Sequence, residues 1–286
     1  KHQITQASGS ALDGGEYFTI RQHIEGFNCF DLAGKQATLS FKVKTNKAGN
    51  YGVSFYDGTG SATITPQSIT VSTADASAEN KVSYTKTFTM PSSITADNAS
   101  RLRLDICLAA HNRAGEYYPT GGTQVDLFDS TANYFEIYEI QLEAGTVATP
   151  FEHRPIGVEK SLCYRYYYRM TANPVNVSGT TNASYIGFAV GRAYSTSAGT
   201  AIIFLPEPLR TSPPVFNYSP ITGNNWDYVI SAMSLLNRQL ADTRTVAIYA
   251  SISVAQSQSS WLLSTGNIGS GSSSTDSVFM DFSAEL

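Results

Sequence analysis

Apolar and polar residues alternate with a period of two along most of the chain. In Leu102-Arg103-Leu104-Asp105-Ile106-Cys107-Leu108 the leucines and Ile106 share one side, and Arg103 and Asp105 the other. Ala37, Leu39, Phe41 and Val43 alternate in the same way with Thr38, Ser40, Lys42 and Lys44. Such alternation sets one face on a core and the other toward water, as antiparallel sheets require. The same pattern predicts strands over 17–24, 51–56, 64–71, 81–90 and 134–142. Turn chemistry separates them at Gly14-Gly15, Lys47-Ala48-Gly49-Asn50, Asp57-Gly58 and Gly121-Gly122. Short strands at this spacing mean a sandwich or barrel.

The pattern breaks near residue 143. Ala144-Gly145-Thr146-Val147-Ala148-Thr149-Pro150 is small and ends in proline, with Pro155 and Gly157 close behind. A β-sandwich is therefore expected over 1–143, an extended linker over 144–159 and a second β-sandwich over 160–286. Leu162-Cys163-Tyr164-Arg165-Tyr166-Tyr167-Tyr168-Arg169-Met170 reads as a strand with Tyr164, Tyr166, Tyr168 and Met170 on one face, and the residues before it, 158–162, suit one helical turn. Further strands are expected over 185–190, 201–205, 214–218, 226–235, 245–254, 260–263 and 277–286. No period of 20–50 residues recurs, which excludes a solenoid or propeller.

The length of 286 residues suits two domains. Charged residues make up 15%, well under the roughly 25% of ordinary soluble domains, and Ser, Thr, Gly, Asn and Tyr take their place. That composition suits strands and turns with neutral polar faces. The formal net charge is −4 and the 19 basic residues are scattered, so nucleic acid is not an expected partner. No apolar run approaches the ~20 residues needed to cross a bilayer, so no membrane insertion is expected. Lys1 is not an initiator methionine, and a longer parent chain is expected to carry any targeting or anchoring element. Cys29, Cys107 and Cys163 are odd in number and lack metal-ligand spacing, so three free thiols are expected.

The stretch Ile137-Tyr138-Glu139-Ile140-Gln141-Leu142-Glu143-Ala144-Gly145, continuing through Thr146-Val147-Ala148-Thr149-Pro150-Phe151-Glu152, resembles a segment of bacteriophage tail fibre proteins. In that family it closes a carbohydrate-binding-module-like jelly roll and leads into a receptor-binding tip. Glu159-Lys160-Ser161-Leu162-Cys163-Tyr164-Arg165-Tyr166-Tyr167 is similar to the start of the tip domain. Phe204-Leu205-Pro206-Glu207-Pro208-Leu209-Arg210-Thr211-Ser212-Pro213-Pro214 and Asp281-Phe282-Ser283-Ala284-Glu285-Leu286 are similar to a strand connection and the closing strand. Pro208, and a tyrosine run at 166–168 longer than usual, depart from the family's pattern. The resemblance implies a homotrimeric tail-fibre segment on the virion. It would contact other virion tail proteins through preceding chain, and bind a bacterial surface polysaccharide outside the cell.

Catalysis finds little support in the residues. His2, His23, His111 and His153 are far apart, no Gly-x-Ser-x-Gly elbow occurs, and no metal ligands cluster. Carboxylate pairs such as Asp105 with Glu116, or Asp126 with Asp129, occur in any chain of this size. No catalytic residue, metal or cofactor is assigned. Asp13, Glu16 and Asp105 are the acidic residues from which a structural calcium site would draw.

Binding a sugar needs less. A sugar offers a C–H face that packs on an aromatic ring, and hydroxyls that pair with Asn, Asp, Gln and Arg. The loop 217–228 holds Tyr218, Asn224, Asn225, Trp226 and Asp227 in that mixture, with Trp226 expected at the surface; its rival is a Trp folded over the sheet end. Arg113, Tyr117 and Tyr118 form a second candidate group between two strands, against the rival of an ordinary solvated loop. The expected function is non-catalytic adhesion to a glycan. The alternatives are a capsule-degrading enzyme, or its accessory carbohydrate-binding module, and a virion part that binds nothing.

Overall fold

The computed structural model describes residues 2–5, 12–58, 63–172, 187–193, 198–210, 215–218, 228–235, 245–254, 261–264 and 278–284. The fold is mostly β, and it divides into two compact units, residues 1–153 and 154–285.

Among the described residues the first unit contains eight strands: β1 (His2–Thr5), β2 (Tyr17–Glu25), β3 (Gln36–Thr45), β4 (Gly49–Asp57), β5 (Thr63–Val71), β6 (Val82–Thr89), β7 (Ser100–Ala110) and β8 (Tyr134–Ala144). They form two antiparallel four-stranded sheets in the orders β1-β8-β3-β6 and β2-β7-β4-β5. The pairing is nested: first with last, second with seventh, third with sixth, fourth with fifth. This is one long hairpin rolled into a sandwich, the jelly-roll arrangement.

The alternation read from the sequence is what packs it. Leu39, Phe41 and Val43 of β3 meet Tyr51, Val53 and Phe55 of β4 and Leu102, Leu104 and Ile106 of β7 in one core, all buried. Ring pairs tie the sheets together: Tyr51 with Phe135 at 5.0 Å and Phe55 with Phe88 at 4.9 Å. Each such side chain contributes roughly 1.5–3 kcal/mol relative to an exposed position. One short helix, α1 (Thr73–Ala78), joins β5 to β6. Its cap is local: the Asp75 amide donates to the Ser72 hydroxyl at 3.1 Å, and Ser72 donates to the Asp75 carboxylate at 2.7 Å. The stretch after β8 stays with this unit. The Gly145 amide donates to the Gln36 carbonyl at 2.8 Å and the Glu152 amide to Gln141 Oε1 at 2.9 Å.

The second unit begins with a helix. The reading of 162–170 as one strand is corrected: α2 spans Ile156–Tyr164 and β9 spans Tyr167–Ala172. Pro155 opens the helix, accepting from the Val158 and Glu159 amides, and Glu159 in the first turn suits the positive end of its dipole. Tyr164 and Tyr168 therefore meet around a helix–strand corner, edge to face at 5.2 Å, instead of along one strand. Among the described residues the further strands are β10 (Gly187–Ala193), β11 (Ala198–Phe204), β12 (Val215–Tyr218), β13 (Tyr228–Leu235), β14 (Thr245–Val254), β15 (Trp261–Ser264) and β16 (Val278–Ser283). They make a five-stranded sheet, β13-β14-β11-β10-β15, and a three-stranded one, β12-β16-β9.

Three stretches come together beside α2. The Arg210 amide donates to the Arg165 carbonyl at 2.9 Å, the Ala284 amide to the Tyr166 carbonyl at 2.8 Å, and Arg210 Nε to the Ala284 carbonyl at 2.7 Å. Leu205, Leu209 and Ala284 are buried there. The three cysteines are free thiols, Cys29 and Cys107 buried and Cys163 exposed. Among the described residues no helix is long and apolar enough to cross a membrane.

Candidate ligand-binding face

The side of the β2-β7-β4-β5 sheet turned away from the core carries a layer of tyrosine rings and guanidinium groups. The period of two puts it there. Ile20 and Ile24 face the core on β2, so Thr19, Arg21 and His23 face out. On β7 the outward residues are Arg103, Asp105 and Cys107; on β4 they are Gly52, Ser54 and Tyr56. The register aligns Arg21, Asp105 and Ser54 in one row across the sheet, and His23, Arg103 and Tyr56 in the next.

Asp105 was expected to face water and does not: its side chain is 0% exposed. Arg21 Nε donates to Asp105 Oδ1 at 2.7 Å and Arg21 Nη2 to Oδ2 at 3.3 Å, while Arg103 Nε donates to Oδ2 at 3.0 Å. The shared carboxylate holds the Arg21 guanidinium still more firmly protonated than usual. Arg103 also lies over the Tyr56 ring, 3.7 Å from its centroid. His23 donates to or accepts from Ser100 at 2.8 Å, and burial, followed by the positive field of Arg21 and Arg103, lowers its pKa.

The chain between β7 and β8 folds back over this layer. Gly52 makes room: a Cβ there would meet the Tyr117 carbonyl oxygen at 2.0 Å. Gln124 clips the loop to the sheet, accepting from the Gly52 amide at 2.9 Å and donating to the Cys107 carbonyl at 3.1 Å. Tyr117 and Tyr118 join Tyr56 and Cys107 in a small second core. Burial, then a hydrogen bond with Tyr17, pushes the Tyr117 hydroxyl well above the usual phenol range. Tyr17, 41% exposed, stacks on Tyr117 with centroids 4.5 Å apart. The Arg113 guanidinium sits 5.2 Å from the Tyr17 centroid, held by the Gly15 carbonyl at 2.8 Å and Glu116 at 3.1 Å.

Of the residues singled out from the sequence, Arg113 lies at the rim of this face. Tyr117 and Tyr118 are buried beneath it, so neither is a surface ring. Tyr218 ends β12, paired in register with Met280. Asn224, Asn225, Trp226 and Asp227 lie outside the described residues. Tyr17, Arg21, Arg103 and Tyr56 were not singled out. The signal for them was the polar half of the alternation in β2, β4 and β7.

The carboxylates weighed for catalysis are engaged. Asp105 serves two arginines, Glu116 serves Arg113, Asp126 accepts from the Phe128 and Leu12 amides, and Lys47 holds Asp129 below the usual carboxylate range. Among the described residues no three His, Cys, Asp or Glu side chains gather as metal ligands. A cleft of about 400 Å³ opens between the edge strands β5 and β6, with Phe88 and Met90 at its base and Asp57, Gln67 and Thr87 around it.

No protein-family model matches the chain, and no curated protein matches it. A solved structure titled "CBM4 structure and function" aligns at 14% identity with a TM-score of 0.31, covering 50% of this chain and 70% of that one.

Proposed function

We propose that the chain is a non-catalytic glycan-binding protein: a trimeric bacteriophage tail-fibre segment that adheres to a bacterial surface polysaccharide and acts on the virion, outside the cell. The observation that carries the binding reading is the Tyr17 ring, exposed at the surface, braced from behind by Tyr117 and flanked by Arg113. A braced ring offers a sugar its flat apolar partner at little entropic cost, and guanidinium N–H groups beside it suit hydroxyl oxygens. Asp105 has both oxygens committed to arginines, which suits a positioning role and not proton transfer.

The tail-fibre reading draws on the resemblance over residues 137–167. The trimer draws also on α2, whose Ile156, Val158 and Leu162 are exposed, an apolar surface that copies of the chain would cover. Three linked weak sites raise avidity by ~10²–10⁴ where geometry permits.

Calorimetric titration with surface polysaccharide from a susceptible host tests the binding. Tyr17→Ala should weaken it at least tenfold in protein that remains folded; full affinity in that variant would remove this face from consideration. Trp226→Ala in the same titration weighs the loop 217–228 against it. A sedimentation mass near three times 30.9 kDa is expected for the trimer, and a monomer at micromolar concentration would rule it out.

A further inference from the structure

We infer that this face selects acidic glycans, its arginines pairing with the carboxylates of uronic or related acid sugars. The inference rests on the glycan-binding reading above and names the ligand class of the same site.

The charge balance of the layer is the first argument. Three guanidinium groups, Arg21, Arg103 and Arg113, face two carboxylates, Asp105 and Glu116. Glu16, near Arg113 in the chain, is turned back to accept the Asp13 amide at 3.0 Å. The inner row is thus locally positive, Arg21 and Arg103 sharing one carboxylate, on a chain whose formal net charge is −4. Burial first, and then the charges of Arg21 and Arg103, lower the His23 pKa, with Asp105 opposing the arginines only in part.

Geometry is the second argument. Arg21 and Arg103 meet Asp105 through Nε and Nη2, which leaves the Nη1 edge of each guanidinium without a carboxylate. Neither group is fully buried, with side chains 33% and 18% exposed. Because Asp105 fixes them from below and Tyr56 stacks on Arg103, their directions are set before any ligand arrives. A planar fork held in place donates two parallel hydrogen bonds to the two charged oxygens of a carboxylate; a neutral hydroxymethyl group at the same place offers a single uncharged oxygen. The Ser54 hydroxyl, in register with Asp105 on the same side of the sheet, is buried with no hydrogen-bond partner, a further polar atom in this row.

The test uses one acidic bacterial polysaccharide that the protein retains, and the same polymer after chemical reduction of its carboxyl groups to neutral alcohols. Binding is measured on the full chain at low and high salt. The expected result is at least tenfold tighter binding of the acidic form, with the gap closing as salt rises. Arg21→Gln and the more peripheral Arg113→Gln should bring the acidic polymer down to the affinity of the reduced one, whereas Tyr17→Ala should weaken both. Equal affinity for the two polymers would overturn the acidic preference and leave sugar binding standing. A preference that survives both arginine substitutions in folded protein would overturn the assignment to this face. Failure to retain any polysaccharide, acidic or neutral, would overturn both readings.

Discussion

Tyr17 lies on Tyr117 with ring planes 29° from parallel, yet one is 41% exposed and the other 2%. The two rings share a contact and differ in what they can lose. Tyr17→Ala should cost about 0.5–1.5 kcal/mol in urea unfolding, the worth of the ring pair, while removing glycan affinity. Tyr117→Ala should cost about 3 kcal/mol, because it empties the small core around Tyr56, Cys107 and Tyr118. Denaturation and titration on the same samples separate the two effects.

Gly52 should tolerate no side chain. The Cβ of Gly52→Ala would reach 2.0 Å from a backbone oxygen, so the loop carrying Tyr117 must lift. The expected cost is about 1–3 kcal/mol, together with faster hydrogen exchange at the Gly52 amide as the Gln124 clip loosens. Unchanged exchange there would show that the loop has room to spare.

Removing the central carboxylate should hurt more than its small size suggests. Asp105→Asn leaves two guanidinium groups facing each other across a buried position. The loss expected is roughly 3 kcal/mol, the low end for a broken buried pair, since both arginines keep some contact with water. Replacing Asp105 without loss in chemical denaturation would mean the arginines rearrange freely.

His23 gives the face a pH dependence of known sign. Its pKa is lowered by burial and by Arg21 and Arg103, so the folded state resists a proton that the unfolded chain accepts below 6.5. The contribution is therefore complete above that value and is lost as pH falls from 6.5 toward the lowered folded value. His23→Gln should flatten the stability profile in that window and leave its slope above pH 7 unchanged.

The thiols should divide two to one. Burial pushes Cys29 up to about 11 and Cys107 to about 12, which keeps both protonated and shielded at pH 8. Cys163 is exposed. A thiol reagent on native protein should therefore label one cysteine per chain, Cys163 by peptide mapping, and three after unfolding.

The strands were legible because alternation is a local signal: β3, β4 and β7 lie within two residues of where the pattern puts them. The β1 strand, His-Gln-Ile-Thr, carries one strong apolar residue and offers no period to read. The helix α2 was hidden by the tyrosines that follow it, which favour a strand; Pro155 and Glu159 outweigh them for the first nine residues. The face itself was half visible. Alternation says that Arg103 and Asp105 leave the core, but not that a loop will fold over them, because Gly52, Tyr117 and Gln124 are brought together only by tertiary packing. The ring types at Tyr117 and Tyr118 drew attention to this loop, where packing buries both rings. Composition alone does not tell a brace from a platform.

The nested pairing that sets β1 beside β8 has a consequence for how the first unit folds. His2 faces Ile137 and Thr5 faces Tyr134, so the strands run in opposite senses at one edge of the sandwich. These partners come from the two ends of the unit's sequence, and a contact of such separation must first meet the entropy of closing the whole intervening chain. The sandwich therefore zips from its innermost turn outward, and this edge is the last to close and the first to open.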